Sequence, residues 1–135
     1  MGGTILNRLV IIGASGHGKV IADIAVKCGY KDIVFLDDNE NVKECAGFLV
    51  KGTTADIKEY QKWDFIVAIG DAVVRENIYK NLEKHSYKIV SLIHPDAVIG
   101  RRVNIGKGTV IMAGAVINSD TTIGKGCIVN TGASV

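Results

Sequence analysis

Aromatic side chains are scarce in this chain, with three Phe, four Tyr and one Trp, and every one of them precedes residue 88. Whatever follows Tyr87 must therefore build its core from aliphatic residues alone. Charge of one sign is lacking as well: 16 Lys and Arg against 14 Asp and Glu leave a net +2, too little to argue for a nucleic-acid partner. No apolar run approaches the ~18 residues of a membrane span. The opening MGGTILNRLVIIG reaches a glycine turn after too short an apolar stretch for a signal peptide, and Leu6 stands where an N-myristoylation signal wants Ser or Thr. The three cysteines, Cys28, Cys45 and Cys127, have neither CxxC nor Cys/His ligand spacing, so no metal site is expected and they read as free thiols in a reducing compartment. These absences describe a soluble cytoplasmic chain with no membrane partner.

What is present is a repeat. From Ile93 to Val135 an aliphatic residue falls on every sixth position: Ile93, Ile99, Ile105, Ile111, Ile117, Ile123, Val129 and Val135. The next position is mostly one that can turn (Gly100, Gly106, Asn118, Gly124, Asn130). The fourth after the aliphatic is small or β-branched (Ala97, Val103, Thr109, Ala115, Thr121, Cys127, Ala133). A period of six suits neither an amphipathic helix nor a hairpin meander. It suits a three-sided parallel β-helix, one strand and one corner per hexapeptide, with the aliphatic inward and the following glycine or asparagine taking φ > 0 at the corner. A valine-rich β-sandwich would not fix glycine and asparagine at one offset.

Residues 1–92 alternate strands and helices, the sign of a parallel sheet with crossover helices. The pattern predicts strands over 8–12, 33–36, 48–51, 65–69 and 88–92. It predicts helices over 18–28, 54–61 and 72–84, the first turning Val20, Ile21, Ile24, Ala25 and Cys28 inward and the last Val74, Ile78 and Leu82. Residues 93–135 form a second domain, entered directly at His94–Pro95.

Three polar clusters then fall at the carboxyl ends of strands. Gly13-Ala-Ser15-Gly16-His17-Gly18-Lys19 follows the first, Asp37-Asp38 the second and Gly70-Asp71 the fourth. In an open parallel sheet the ligand crevice lies outside these ends, so the three clusters point to one site. A glycine loop opening a helix offers backbone amides to a phosphate, and an acidic residue about 20 positions on is where a nucleotide's ribose or base would be held. The spacing GxxGxG is not the GxGxxG of dinucleotide enzymes, and Val20 stands where a P-loop needs Ser or Thr. Short strand-to-helix turns also use glycine with no ligand.

Taken together, GASGHGK with IADIA behind it, FLDD, AIGD followed by Arg75, the junction SLIHPDAVIG and the hexapeptides ending NTGASV resemble the sugar acetyltransferases of the NeuD/PglD type along essentially the whole chain. The resemblance implies an N-terminal Rossmann-like α/β domain that binds a nucleotide-linked amino sugar, then a left-handed parallel β-helix that forms a homotrimer and binds acetyl-CoA. The implied substrate contacts are Ser15, Gly16, His17, Asp37, Asp38 and Gly70. The implied chemistry is acetyl transfer from acetyl-CoA to an amine or hydroxyl of a nucleotide-activated sugar or sialic acid. A neutral histidine beside a carboxylate removes the proton as the nucleophile attacks the thioester, and backbone amides hold the oxyanion.

In that family the catalytic histidine follows the NTxxSV-like segment, so it is expected beyond Val135, and this stretch reads as a β-helix incomplete at its C-terminal end and inactive by itself. With two coils and part of a third, it is expected to trimerise or to associate through its open end. Of the histidines present, His17 is a candidate sugar-phosphate contact, His85 a helix C-terminal partner and His94 a junction residue. Asn130 matches the family's active-site asparagine, but it also occupies a corner where the repeat wants asparagine. An NAD-dependent oxidoreductase would account for the glycine loop and Asp37 but leaves the hexapeptides unexplained. A non-catalytic nucleotide-sugar-binding or assembly module is the other alternative.

Overall fold

The computed structural model describes residues 7–135; the stretch 1–6, with Leu6 and the acylation reading attached to it, lies outside them. Strands β1 (Arg8–Ile12), β2 (Asp32–Leu36), β4 (Phe48–Gly52), β5 (Asp64–Val67) and β6 (Lys88–Ile89) are parallel, and a short β3 (Glu44–Cys45) runs antiparallel to β4 at one edge. The order across the sheet is β3-β4-β2-β1-β5-β6, so the chain reverses its direction of travel between β1 and β5. β1 is apolar on both faces because both are covered, as parallel strands require. Leu9 and Ile11 pack with helix α1 (Gly16–Lys27), and Val10 and Ile12 with helix α2 (Ala72–Lys84).

The elements depart from the sequence reading in instructive places. Helix α1 starts two residues earlier than expected, since the extended Ser15 acts as N-cap and packing overrides the poor helix propensity of Gly16 and Gly18. Val20 and Val74 are 42% and 44% exposed, and Cys28 is also exposed, so none is part of the buried face. In α2 the inward position goes instead to Tyr79, beside Leu82. The β3–β4 hairpin turns on Ala46 and Gly47, both at positive φ (52° and 84°), a pair without the usual Asn-Gly signal. The short helix over Thr54–Tyr60 is 3-10 and opens with a capping box between Thr53 and Asp56. The expected strand 88–92 divides: β6 stays in the sheet, while Leu92–Ile93 (β7) belongs to the next stack.

That stack is a three-sided parallel β-helix. Strands β7, β8 (Val98–Ile99), β9 (Asn104–Ile105), β10 (Val110–Ile111), β11 (Val116–Ile117), β12 (Thr122–Ile123) and β13 (Ile128–Val129) each pair with the strand three hexapeptides away: β7-β10-β13 on one side, β8-β11 on the second and β9-β12 on the third. The interior holds Ile111, Ile117, Ile123 and Val129 with the small residues Ala97, Ala115, Cys127 and Ala133, so each hexapeptide supplies two inward positions.

One expectation is corrected. The left-handed residues are Arg102, Gly108, Gly114, Asp120, Gly126 and Gly132, three positions after the aliphatic, not the Gly100, Gly106, Asn118, Gly124 and Asn130 positions that immediately follow it. The glycines just after the aliphatic serve another need. A Cβ on Gly100 or Gly106 would lie 2.5 or 2.6 Å from backbone atoms of the next coil, so bare backbone lets the corners stack. Arg102 and Asp120, the two non-glycine left-handed corners, sit one above the other and join in a two-armed ion pair.

The two parts are packed together. Leu92, Val110 and Met112 belong to the same buried cluster as α1 and the sheet. On the other side the buried Tyr79 hydroxyl donates to the Gly108 carbonyl at 3.0 Å and accepts from the Val67 N–H at 2.9 Å. Burial pushes its pKa up to about 12, so the phenol keeps the proton it donates. Tyr79→Phe leaves both partners unsatisfied and is expected to cost about 1–3 kcal/mol. Gly108→Ala is expected to cost more, because it adds left-handed strain to a Cβ only 2.8 Å from the Tyr79 ring. Urea unfolding of both variants checks the order, and a Gly108→Ala protein as stable as the native one would contradict this account of the junction.

Candidate functional site

The switch in strand order leaves a crevice at the carboxyl ends of β1 and β5, where open α/β sheets bind ligands. Two glycines of the first loop are demanded by the fold itself. A Cβ on Gly13, whose φ is 110°, would sit 2.6 Å from the Ala68 carbonyl, and one on Gly18 would collide with the Gly13 carbonyl and approach the Phe35 ring to 2.9 Å. Gly16 and Gly70 differ. A Cβ on either would meet nothing within 4 Å, so no neighbour requires bare backbone there.

The strand-end acids are tied into the loops. Asp37 accepts from the Ala14 N–H at 2.7 Å through Oδ2 and from the Asn39 N–H at 2.8 Å through Oδ1, so it holds the glycine loop against the end of β2. Asp38 Oδ1 accepts from the Thr54 N–H and hydroxyl at 2.9 and 2.8 Å, while its Oδ2 takes no part in these bonds. Asp71 caps α2 by accepting from the Val73 and Val74 N–H groups. Ser15 is the N-cap residue of α1, but its side chain caps no amide.

A cleft of about 300 Å³ brings together Gly13, Ser15, Asp37, Asp38, Ile69 and Gly70, from three separate loops. Gly16 and His17 are not among its lining residues. His17, in the first turn of α1, is half-buried, and its Nε2 is shut off from solvent with no hydrogen-bond partner. Burial, and secondarily the Arg75 guanidinium, hold its pKa below the usual histidine value, so the imidazole is neutral at neutral pH. His85 caps the far end of α2 with Nδ1 2.9 Å from the Asn81 carbonyl. His94 Nδ1 accepts from the Asp96 N–H. Asn130 is exposed at a β-helix corner, its carbonyl accepting from the Ala133 N–H. A larger hollow, about 610 Å³, lies between α2 and the β-helix, but it touches neither the glycine loop nor the strand-end acids. Its Lys107 and Lys125 both pair with Glu83.

Arg75 was no candidate for a site role in the sequence, yet it reaches the cleft wall. Its Nη1 donates to the Ile69 and Gly70 carbonyls at 2.9 and 3.1 Å, and its Nε to the Gly126 carbonyl of the β-helix at 3.0 Å. A sequence signal did exist: a cation near the start of a helix opposes the helix dipole and wants a compensating partner. Among the described residues no group of three or more His, Cys, Asp or Glu side chains could hold a metal ion, and no helix is long and apolar enough to cross a membrane.

A parallel α/β sheet with a crevice at its strand ends, joined to a hexapeptide-repeat β-helix, defines a two-part class of protein. Residues 8–82 match the family described as PglD N-terminal domain, and residues 102–135 match bacterial transferase hexapeptide (six repeats). The chain belongs to the PglD N-terminal domain family. It is 35% identical over 113 residues to the UDP-N-acetylbacillosamine N-acetyltransferase of Bacillus subtilis (strain 168), which covers 80% of this chain and 52% of that protein. Among solved structures, the acetyltransferase domain of PglB from Neisseria gonorrhoeae FA1090 in complex with acetyl coenzyme A superposes with a TM-score of 0.90 at 41% identity, over 96% of this chain and 64% of that one. PerB from Caulobacter crescentus, in complex with CoA and GDP-perosamine, superposes with a TM-score of 0.88 at 33% identity, over 99% of this chain and 65% of that one. The chain thus spans about half the length of the Bacillus relative and under two thirds of the solved chains.

The His17 shift gives a pH prediction. Its folded pKa lies below 6.5, so the unfolded chain takes up the proton first. The contribution to stability is full above pH 6.5 and is lost as pH falls through the folded value. Urea midpoints between pH 7.5 and 5 are expected to drop more steeply for the native chain than for His17→Gln, and parallel curves would mean that this imidazole is not desolvated in the fold.

Proposed function

We propose that this chain is the nucleotide-sugar-binding part and the first coils of an acetyl-CoA-dependent sugar N-acetyltransferase of glycan biosynthesis. The observation that carries the reading is the bare backbone at Gly16 and Gly70. Gly70 lines the cleft that Ser15 and Asp38 share, Gly16 opens the helix beside it, and neither glycine is demanded by a neighbour. Backbone left open at a helix start and a strand end admits a phosphate or sugar closely. In this reading the Gly16 and His17 amides face the diphosphate, Ser15 and Asp38 hold the nucleoside or sugar, and Asp37 keeps the loop in shape. His17 takes part in this reading through its backbone amide, because its Nε2 is shut off from solvent and its side chain does not line the cleft.

The relatives support a UDP- or GDP-linked amino sugar as acceptor and acetyl-CoA as donor. The transfer needs a general base at the acceptor amine as it attacks the thioester carbonyl. His85 and His94 are each engaged with backbone outside the cleft, so neither is assigned as that base, and Asn130 stays a candidate active-site residue at its β-helix corner. The β-helix is read as left-handed and as the element that trimerises, with the division between the two parts, expected at residue 92, falling at Val90–Ser91 because Leu92 already pairs within the β-helix. The PglD-family membership and the hexapeptide match favour this over an NAD-dependent oxidoreductase.

Thermal-shift and calorimetric titration of the chain with UDP, GDP and NAD tests it. UDP or GDP at about 100 times its dissociation constant is expected to add ~2.7 kcal/mol of stability. Asp38→Ala is expected to weaken that binding about tenfold or more, as loss of a buried polar contact to ligand does. Stabilisation by NAD alone would remove the sugar-nucleotide reading.

A further inference from the structure

We propose that Arg75 is the positioning residue of the strand-end cleft: its guanidinium binds the Ile69–Gly70 wall to the β-helix corner at Gly126 and so fixes where the Gly70 backbone meets a bound nucleotide sugar. The proposal rests on the nucleotide-sugar reading for its ligand and goes beyond it in assigning the residue.

The geometry is that of one fork spanning three carbonyls. Ile69 and Gly70 follow β5 and line the cleft, and both of their carbonyls receive Nη1 of Arg75. The third carbonyl, Gly126, belongs to a corner of the second β-helix coil and receives Nε. Ile69 packs its side chain against the core on the α2 side, but Gly70 has no side chain and a Cβ there would touch nothing, so packing does not hold the Gly70 end of the wall. Asp71 fixes the next residue by capping α2 but makes no bond to the Ile69 or Gly70 carbonyl. The part-buried guanidinium is therefore what anchors the Gly70 end of the wall, and charge-assisted bonds to carbonyls are strong enough for that task. Lysine would replace it only in part, since a single ammonium keeps the charge but does not reproduce the planar fork.

A purely structural role, bracing the sheet against the β-helix, is the competing account, and Tyr79 separates the two. Tyr79 also ties α2 to a β-helix corner, through Gly108, but it makes no bond to the cleft wall. UDP and GDP are titrated calorimetrically into native protein, Arg75→Gln, Arg75→Lys and Tyr79→Phe, with melting temperatures measured alongside. Arg75→Gln is expected to raise the dissociation constant about tenfold, with Arg75→Lys between it and native, while Tyr79→Phe lowers the melting temperature but leaves the constant within about twofold. Equal weakening in Arg75→Gln and Tyr79→Phe, or an unchanged constant in Arg75→Gln, overturns the assignment. If the native chain binds neither nucleotide, the sugar-nucleotide reading fails by itself, and amide exchange then judges Arg75. Faster exchange at Gly70 and Asp71 in Arg75→Gln alone supports it, and exchange unchanged from native overturns it.

Discussion

The docking of one side of the β-helix onto the α1 face of the sheet is the constraint on which the rest of this structure depends. A prism of two-residue strands buries little by itself, and each coil is stable only against its neighbours. Here the side formed by β7, β10 and β13 has a second surface to bury. Leu92 and Val110 turn outward from the prism and, with Met112, complete the cluster around Leu9, Ile21, Phe35 and Ile66. Full burial of side chains of this size contributes on the order of 1.5–3 kcal/mol each. The sheet benefits equally, because twelve residues of α1 do not cover that face alone. Neither part has a finished core without the other, and this explains why the chain passes from β6 to β7 with only Val90 and Ser91 between them.

Once that face is docked, α2 on the opposite face is brought beside the β-helix corners. Tyr79 and Arg75, one turn apart on α2, then meet the carbonyls of Gly108 and Gly126, which occupy equivalent left-handed corners of successive coils. The repeat thus supplies a ladder of outward-facing corner carbonyls at fixed spacing, and a helix with donors one turn apart can bind two rungs. A Cβ on Gly108 would press on the Tyr79 ring, and one on Gly126 would lie 3.3 Å from it, so the corner glycines here meet a packing demand as well as a conformational one.

The elements set by periodicity were legible in the sequence, and the features set by contact were not. The six-residue period gave the β-helix, its registration and most of its inward residues, because one interval is imposed by one geometry repeated, although Ile99 and Val135 are exposed. Helix α2 was placed at its observed ends by the apolar spacing, and the structure adds Asp71 as its N-cap. Which face of α2 is buried was misjudged at Val74, since the sequence does not say that a cleft, not a core, lies over the start of that helix. The offset of the left-handed corners was misjudged for a related reason. Glycine has two uses, positive φ and close approach, and composition alone does not distinguish Gly106, needed for stacking, from Gly108, needed for its backbone conformation.

The same ambiguity, resolved by geometry, is what separates scaffold from site in the glycine loop. Gly13 and Gly18 are glycine because the loop folds against Ala68 and Phe35, and any protein with this turn would need them whether or not it bound a ligand. Gly16 and Gly70 carry no such demand. Asp37 and Asp38 divide likewise: both Asp37 oxygens are committed to the loop backbone, whereas Asp38 commits one to Thr54. Neighbouring residues of the same type therefore do different work. The folding constraint falls on Gly13, Gly18 and Asp37, and the chemical opportunity on Gly16, Gly70 and Asp38. In the proposed reading the second set offers exposed backbone donors at a helix start, a carboxylate oxygen and an open strand end, which an anionic diphosphate linked to a polar sugar would use.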